Sequence, residues 1–204
     1  MEMSLIQMFQ DRGCIKVTAD YSFTYASGLS GPIYCDNRLI IGDPKLRDET
    51  LKSLLQRLDQ ENVQVDAIMA MATGAIPLGS LLADKLKIPL GYVRSKQKGH
   101  GTGSLVEGGV AKSKQILVLE DLINQGSSIK KGVEALEKEG FQVVGILSIV
   151  SYEFDRVKRY FDNKDIPIWS VIGVKDLLDF FESSGEKDTR ATLQKWHTEL
   201  NTDN

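Results

Sequence analysis

The sequence predicts an α/β fold built on a mainly parallel central sheet that is flanked by helices. Short apolar stretches alternate with amphipathic stretches of helical spacing, which is the order that parallel sheets require. One apolar stretch, Ile116–Leu119, contains no polar residue and is typical of a strand buried on both faces. With 204 residues, of which 42% are hydrophobic, the chain can form one substantial core, and we expect a single domain over residues 1–204.

The amino-acid composition restricts the classes of ligand that the protein can bind and the cellular compartment in which it is expected. The net charge of −3 and the pI near 5.5 argue against a broad nucleic-acid surface, so an anionic ligand needs a local basic cluster. Cys14 and Cys35 are too few for a disulfide framework and lack metal-type spacing, which favours reduced thiols. No apolar stretch approaches the ~20 residues of a membrane span, and the N-terminus lacks the basic head of a signal peptide. We therefore expect a cytoplasmic protein that binds neither nucleic acid nor membrane.

The N-terminal part of the chain predicts a small hood over about residues 1–42. Residues 1–18 have the pattern of a short amphipathic helix and then a strand at Ile15–Thr18. Residues 23–38 contain two β-rich pieces separated by turn residues, which indicates either a hairpin-like cover or a simple β-excursion with an exposed Arg38. Asp43–Pro44 then supplies an N-cap and a proline at the first helical position, so we expect a helix that runs to about Asn62.

A strand–loop–helix unit follows. Val65–Ala70 has the pattern of a buried strand, and a helix with a leucine stripe is expected over Leu78–Leu86. Between them lie the small residues Ala72, Thr73 and Gly74. Small residues at a strand end let main-chain N–H groups turn toward an anion, but they also let a helix pack closely on a strand. The pattern fits both interpretations equally.

The segment after a strand at Pro89–Val93 predicts a lid loop over about residues 94–110. Arg94, Lys96, Lys98 and His100 lie within seven residues, and glycines follow with almost no apolar residue to anchor them. Such a segment cannot pack a core and is expected to be mobile. It is either a solvated surface loop or a lid with cationic ligands for a polyphosphate.

The end of the fully apolar strand predicts an anion site. Glu120 and Asp121 follow that strand directly, at the edge where open parallel sheets bind ligands. The polar turn Asn124–Ser128 contains Gly126, which permits a close backbone approach, and a helix beginning near Ile129 would direct its N-terminal amides at the turn. The alternative is a sheet edge with solvated acids and a loop that happens to be polar.

The rest of the chain completes the alternation of strands and helices. The expected elements are a strand at Gln142–Val150, a helix at Glu153–Phe161, a strand at Ile166–Val171, a short helix that ends at Gly185, and a terminal helix at Thr189–Leu200. In the terminal helix, we expect Trp196 to anchor on the core and His197 to lie on the surface.

Three segments, in this order, resemble motifs of the type I phosphoribosyltransferases and in particular of the orotate phosphoribosyltransferases. Residues 27–38 are similar to the base-binding region of those enzymes, and residues 92–103 to their flexible catalytic loop. Residues 116–128 resemble the signature that binds phosphoribosyl diphosphate (PRPP). The likeness covers about residues 20–180 and implies the type I phosphoribosyltransferase fold, with a mainly parallel sheet and a small N-terminal hood.

The resemblance also implies an activity and an assembly. Phosphoribose would be transferred from PRPP to N1 of orotate, giving orotidine 5′-monophosphate and diphosphate in pyrimidine synthesis. Mg²⁺ would be carried by the oxygens of PRPP, with Glu120 and Asp121 near it, rather than by a dedicated protein cage. The enzyme would be a homodimer in which each lid closes over the neighbouring subunit's site. An acidic pair near the ribose and a cationic lid over the diphosphate oppose the charges that develop during bond breaking.

By the same resemblance, the residues of these motifs receive roles. The catalytic group is Arg94, Lys98, His100 and Asp121, with Lys98 as the main stabiliser of the leaving diphosphate and His100 as a proton donor. The expected PRPP-binding residues are Arg94, Lys96, Lys98, His100, Ala72, Thr73, Gly74, Glu120, Asp121, Leu122, Ile123, Asn124, Gln125, Gly126, Ser127 and Ser128. Orotate is assigned to Tyr34, Cys35 and Asn124.

Some positions depart from the family pattern. In the turn, Asn124 and Gln125 replace small hydroxyl residues, and the longer amide of Gln125 can still donate to a phosphate oxygen. Ala26 stands where many relatives carry a lysine, so backbone donors near Tyr34 and Cys35 would meet the orotate carboxylate. The alternatives are a purine-type phosphoribosyltransferase and a non-catalytic PRPP-sensing regulator of the same fold. The lid motif favours the orotate branch, and the acidic pI argues against a DNA-binding regulator.

Overall fold

The central feature of the fold is a six-stranded sheet, seen in a computed structural model that describes residues 3–25, 28, 30–96, 104–112 and 114–202. The helices are α1 (Leu5–Arg12), α2 (Pro44–Glu61), α3 (Ile76–Leu86), α4 (Ser127–Lys138), α5 (Asp155–Asp162), α6 (Val174–Ser184) and α7 (Lys187–Thr202). The strands are β1 (Ile15–Val17), β2 (Phe23–Thr24), β3 (Ser30–Gly31), β4 (Ile33–Cys35), β5 (Ala67–Met71), β6 (Leu90–Val93), β7 (Val106–Glu107), β8 (Gln115–Ile123), β9 (Gln142–Ser151) and β10 (Ile168–Gly173). A 3₁₀ helix spans Asn37–Gly42.

The strands of the central sheet lie in the order β10-β9-β8-β5-β6-β7. Every pair is parallel except β6 with β7, which is antiparallel. This arrangement confirms the predicted fold class. Because Ala70 of β5 pairs with Leu119 of β8, the carboxyl ends of these strands meet at one edge of the sheet.

Helices cover both faces of this sheet. Gly79 of α3 lies so close to β5 that an added Cβ would be 3.1 Å from the Cβ of Ala70. Gly132 of α4 approaches the other face, where an added Cβ would crowd the side chain of Met71. Since successive strand residues point to opposite faces, α3 and α4 sit on opposite sides of the same strand ends.

The start of α2 and the end of β8 can be compared with the boundaries predicted from the sequence. Helix α2 begins as predicted, with Pro44 in its first turn and the Asp43 side chain accepting a hydrogen bond of 3.1 Å from the Leu46 amide. Strand β8, in contrast, continues four residues beyond the apolar run that ends at Leu119. The neighbouring strand explains the extension, because β9 is long enough to pair with β8 as far as Ile123, despite an irregularity in register near Ile116.

The hood consists of two small antiparallel pairs, β1 with β4 and β2 with β3. The terminal helix packs near it through Trp196, which is 1% exposed and lies 6.3 Å from the ring of Tyr25, as expected of an anchor. The prediction that His197 lies on the surface is wrong. Its ring is half-buried, stacks on Phe154 at 5.3 Å and lies 2.7 Å from the carbonyl oxygen of Tyr152. Within the described ranges, no helix is long and apolar enough to cross a membrane.

Candidate functional site

The acidic pair lies inside strand β8 rather than beyond its end. Glu120 is 5% exposed, its Oε1 accepts a hydrogen bond of 3.1 Å from the Asp121 amide, and its Oε2 lies 3.5 Å from the Ser128 hydroxyl. Burial, followed by the hydrogen bond and charge of Asp121, raises the pKa of Glu120 to about 9. The raised pKa favours the protonated form of Glu120 at neutral pH, because β8 continues past this residue and keeps its carboxyl out of water.

Asp121 points toward the face that α3 covers. An added Cβ on Gly74 would overlap the Asp121 carboxylate, so a larger residue there would force that carboxylate to move. The Asp121 side chain accepts a hydrogen bond of 3.0 Å from the Leu122 amide, and its carbonyl oxygen accepts one of 2.6 Å from Asn37. Asn37 is 5% exposed and had not been singled out from the sequence, because nothing in its local pattern marks a contact with β8.

The turn after β8, with the first turn of α4, forms what we call the phosphate loop (residues 124–128). The helix starts at Ser127, two residues earlier than expected, and no side chain caps its N-terminus. The amides of an uncapped first turn lack helical partners and are available to an anion. Gly126 has a φ of +79°, and an added Cβ would lie 2.8 Å from Val157. The buried Oδ1 of Asn124 has no hydrogen-bond partner among the described residues.

The side chain of Gln125 is held by a residue that the sequence did not suggest. Its Oε1 accepts a hydrogen bond from the guanidinium group of Arg156 in α5. Arg156 also donates a hydrogen bond of 2.8 Å to the carbonyl oxygen of Leu200 and lies 4.6 Å from the ring centroid of Phe154. Gln125, which we expected to donate to a phosphate, therefore has its side-chain oxygen hydrogen-bonded to Arg156, on the side of the loop that faces α5 and α7.

The loop after β5 offers fewer amides than expected. The Ala72 amide donates a hydrogen bond of 2.8 Å to the Val93 carbonyl oxygen and is thus part of the sheet. The amides of Thr73 and Gly74 have no acceptor in the described part of the chain. The peptide bond between Ala72 and Thr73 is cis. Two main-chain donors are therefore left for an anion beside the Asp121 carboxylate.

A cavity of about 220 Å³ lies between this loop, the lid stem and α4. Its lining includes Ala72, Arg94, Ser127, Ser128 and Lys131. Sequence reasoning missed Lys131, although its spacing of i to i+4 from Ser127 places both residues on one face of a helix. Two cations, three serine hydroxyl groups including that of Ser95, and an uncapped helix start give this cavity the chemistry of a polyphosphate site.

The stem of the lid is described, but its centre is not. Lys98 and His100, to which we assigned the leaving diphosphate, lie outside the described residues. Arg94 donates its amide to the Leu105 carbonyl oxygen at 2.8 Å, which joins the two ends of the lid. The Arg94 guanidinium lies 3.5 Å from Glu107, and Lys96 is exposed at the last described position before the gap.

Two expected acceptor-site residues lie in β4 of the hood. Tyr34 is 39% exposed as a residue, and its ring stacks on Phe23 with the ring centroids 5.6 Å apart. The Cys35 sulfur lies 3.6 Å from the Tyr152 hydroxyl, and desolvation raises the pKa of the Cys35 thiol to about 12. The thiol is therefore neutral and acts as a wall of the hood rather than as a nucleophile. Tyr152 was missed because its contact with β4 spans most of the chain.

Comparison with known proteins agrees with this geometry. The family model of the phosphoribosyl transferase domain matches residues 42–177. An orotate phosphoribosyltransferase from Cutibacterium acnes is 36% identical over 187 residues, which are 91% of this chain and 87% of that protein. The one from Listeria innocua is 39% identical over 176 residues, 85% of this chain and 84% of that protein. The crystal structure of orotate phosphoribosyltransferase from Aeropyrum pernix superposes with a TM-score of 0.77 at 31% identity, covering 88% of this chain and 98% of that one.

Proposed function

The chain belongs to the orotate phosphoribosyltransferases, which are pentosyltransferases of pyrimidine synthesis within the phosphoribosyl transferase domain family. On that premise, we propose that it makes orotidine 5′-monophosphate and diphosphate from PRPP and orotate. One observation carries the proposal: three elements that could hold PRPP meet at one sheet edge. They are the Asp121 carboxylate against Gly74, the Glu120 carboxyl near Ser128, and the uncapped start of α4.

The charges at this edge suit the reaction. Breaking the bond between ribose C1 and diphosphate leaves positive charge on the sugar and negative charge on the leaving group. Asp121 supplies negative charge where the ribose is assigned, and Arg94 and Lys131 supply positive charge in the cavity. Groups fixed in place before the reaction stabilise developing charge without reorganising.

Each part of PRPP has a proposed partner. The diphosphate is assigned to the amides of Thr73 and Gly74, with Ala72 fixing that loop to the sheet, and to the lid cations Arg94, Lys96, Lys98 and His100. Asp121 and the neutral carboxyl of Glu120 hold the ribose hydroxyls, since a protonated carboxyl can both donate and accept. Leu122 and Ile123 place the phosphate loop, and its residues 124–128 bind the 5′-phosphate.

Orotate is assigned to the space under the hood. Tyr34 supplies an exposed ring for stacking, Cys35 supplies the wall, and Asn124 is assigned a hydrogen bond to the base, which its buried and unpartnered Oδ1 can make only if the side chain turns toward the hood. A buried polar atom without a partner costs free energy unless a ligand satisfies it. In this assignment, Asn124 would link the base to the loop proposed to bind the phosphate.

The side chains fit Mg²⁺ only as an ion carried by the substrate. Among the described residues, no group of three or more His, Cys, Asp or Glu side chains could form a protein cage. Mg²⁺ keeps several waters and is commonly held by substrate phosphates with one or two carboxylates; at this edge Asp121 is the available one, and Glu120 could take part only after losing its proton. When bound, it would neutralise charge on the diphosphate.

We also propose a homodimer in which each lid serves the neighbouring subunit's site. Apart from Tyr34, which is assigned to orotate, the large apolar side chains that are exposed in the described ranges are Met3, Tyr21, Leu39 and Ile41, all within the first 41 residues. Their restriction to the hood and its surroundings is typical of a surface that another subunit covers.

The experiment that tests the activity is product formation from PRPP and Mg²⁺ with orotate, compared with hypoxanthine and adenine. We expect orotidine 5′-monophosphate, no purine nucleotide, and no turnover after Mg²⁺ is chelated. Turnover of a purine base but not of orotate would assign the chain to the purine branch. Failure of PRPP to bind at millimolar concentration with Mg²⁺ present would refute the transferase proposal.

A further inference from the structure

Arg156 joins three parts of the chain next to the phosphate loop. Its guanidinium donates a hydrogen bond to Oε1 of Gln125 in that loop and another of 2.8 Å to the carbonyl oxygen of Leu200 in α7. Its Cζ lies 4.6 Å from the ring centroid of Phe154, which immediately precedes α5. One side chain thus connects the phosphate loop, the terminal helix and the start of α5.

The chemistry of the two side chains fixes their relative orientation. A guanidinium group has only donors, whereas an amide has an acceptor oxygen and a donor nitrogen. The oxygen of Gln125 must therefore face Arg156, and the long Gln125 side chain is ordered before any ligand binds. A loop that is ordered beforehand loses less conformational entropy on binding than a loose one.

The terminal helix α7, whose Leu200 carbonyl oxygen accepts the hydrogen bond from Arg156, is itself held by several contacts. The Asn201 side chain accepts a hydrogen bond of 2.9 Å from the Asp155 amide, and His197 lies 2.7 Å from the Tyr152 carbonyl oxygen. Trp196 and Phe154 are each 1% exposed and pack edge-on with their centroids 5.6 Å apart. The carbonyl oxygen that Arg156 binds therefore belongs to a helix that is docked on both sides of it.

From these contacts we propose that Arg156 is a positioning residue for the 5′-phosphate. By holding Gln125, it fixes the phosphate loop against the docked terminal helix. This inference rests on the proposed function, because it assumes that the loop binds the phosphate of a ribose 5-phosphate group. It concerns only that end of the substrate, since the diphosphate is assigned to the loop at Thr73 and Gly74.

The first test is binding of two partial ligands by calorimetry in the presence of Mg²⁺. Arg156→Met should weaken ribose 5-phosphate binding about tenfold, or about 1.4 kcal/mol, and leave inorganic diphosphate binding unchanged. In steady-state turnover, the KM for PRPP should rise by a similar factor while the KM for orotate stays the same. Arg159→Met is the matched control, because Arg159 is an exposed residue of the same helix. We expect it to behave as wild type.

The second test separates positioning from a direct contact and does not disturb the Leu200 contact. Gln125→Met should weaken ribose 5-phosphate binding about as much as Arg156→Met, and the double variant should be no worse than either single one. A double variant whose loss is the product of the two single losses would overturn the proposal. So would equal weakening of ribose 5-phosphate and diphosphate, which indicates a general structural defect.

The wild type separates this proposal from the proposed function. Wild-type binding of ribose 5-phosphate with unchanged affinity in Arg156→Met would overturn the positioning role alone. Absence of both ribose 5-phosphate binding and PRPP binding in the wild type would overturn the proposed function and this inference with it.

Discussion

Burial in β8 and the neighbouring Asp121 raise the pKa of the Glu120 carboxyl to about 9, which favours its neutral form at pH 7. A neutral carboxyl and an ionised one offer a ribose diol different hydrogen bonds, since only the neutral one can donate. The sequence places two acids side by side but does not show that they face different surroundings. Their environments follow from strand alternation, which turns Glu120 toward Ser128 and Asp121 toward Gly74.

The raised pKa of Glu120 has a consequence for stability. The folded state keeps the proton up to about pH 9, whereas an unfolded glutamate releases it near pH 4.5, so between these values the folded state binds more protons. The unfolding free energy should therefore decrease as pH rises from about 4.5 to 9. In Glu120→Gln, which cannot titrate, the melting temperature should fall less over this range than in the wild type.

Thermal melts at half-unit pH intervals provide the measurement, without ligand. Asp48→Asn is the control, because Asp48 is an exposed carboxylate and its removal should leave the wild-type slope in place. If wild type and Glu120→Gln show parallel curves from pH 5 to 9, the carboxyl of Glu120 is not protonated in the folded state.

A second residue-level prediction concerns Lys98. Its charge is useful chiefly when the diphosphate gains negative charge, so Lys98→Ala should slow the chemical step by about 10²–10³ with little change in PRPP affinity. Single-turnover kinetics gives the chemical step, and calorimetry gives the affinity. Lys112→Ala, at an exposed position beyond the lid, is expected to match the wild type. An unchanged chemical step in Lys98→Ala would remove this residue from the mechanism.

At the scale of helices and strands, the sequence predicts the features that depend on neighbouring residues. It does not predict the features that depend on contacts between distant parts of the chain. The cap and proline of α2 and the apolar run of β8 depend on neighbouring residues, and both were found. The extension of β8 depends on the length of β9, which no pattern in β8 shows. The hydrogen bond from Asn37 to Asp121 joins residues 84 positions apart, and that from Arg156 to Gln125 joins residues 31 apart. A single sequence carries no signal for such contacts.

Gly126 allows a prediction about the junction of β8 and α4. Its φ of +79° and its distance to Val157 leave no room for a side chain, so Gly126→Val should displace the phosphate loop and abolish detectable PRPP binding. Gly140→Val is the matched control, because Gly140 has a φ of +85° but nothing within 4 Å of an added Cβ. Both variants should lower the melting temperature through backbone strain, but only the first should lose PRPP. Equal PRPP affinity in the two would show that the loop does not need this backbone position.

At the scale of the whole molecule, the sheet edge brings together residues from three crossover units. Asp121 and Glu120 come from β8, Gly74 follows β5, and Arg94 follows β6. Parallel pairing places these strand ends side by side, so a site with opposite charges can form from residues far apart in sequence. The cationic lid remains the part of the site that one subunit is proposed to supply to another.

The exchange of lids can be tested by mixing two inactive variants. Lys98→Ala removes the lid cation, and Asp121→Asn removes the charge at the sheet edge, so a shared site needs one intact copy of each. If each lid serves the neighbour, a mixed dimer has one intact site of two, and random exchange should restore about a quarter of wild-type activity. If each lid serves its own subunit, both sites of every mixed dimer are defective. Activity that stays absent, with subunit exchange verified by native mass spectrometry, would place the lid over its own site.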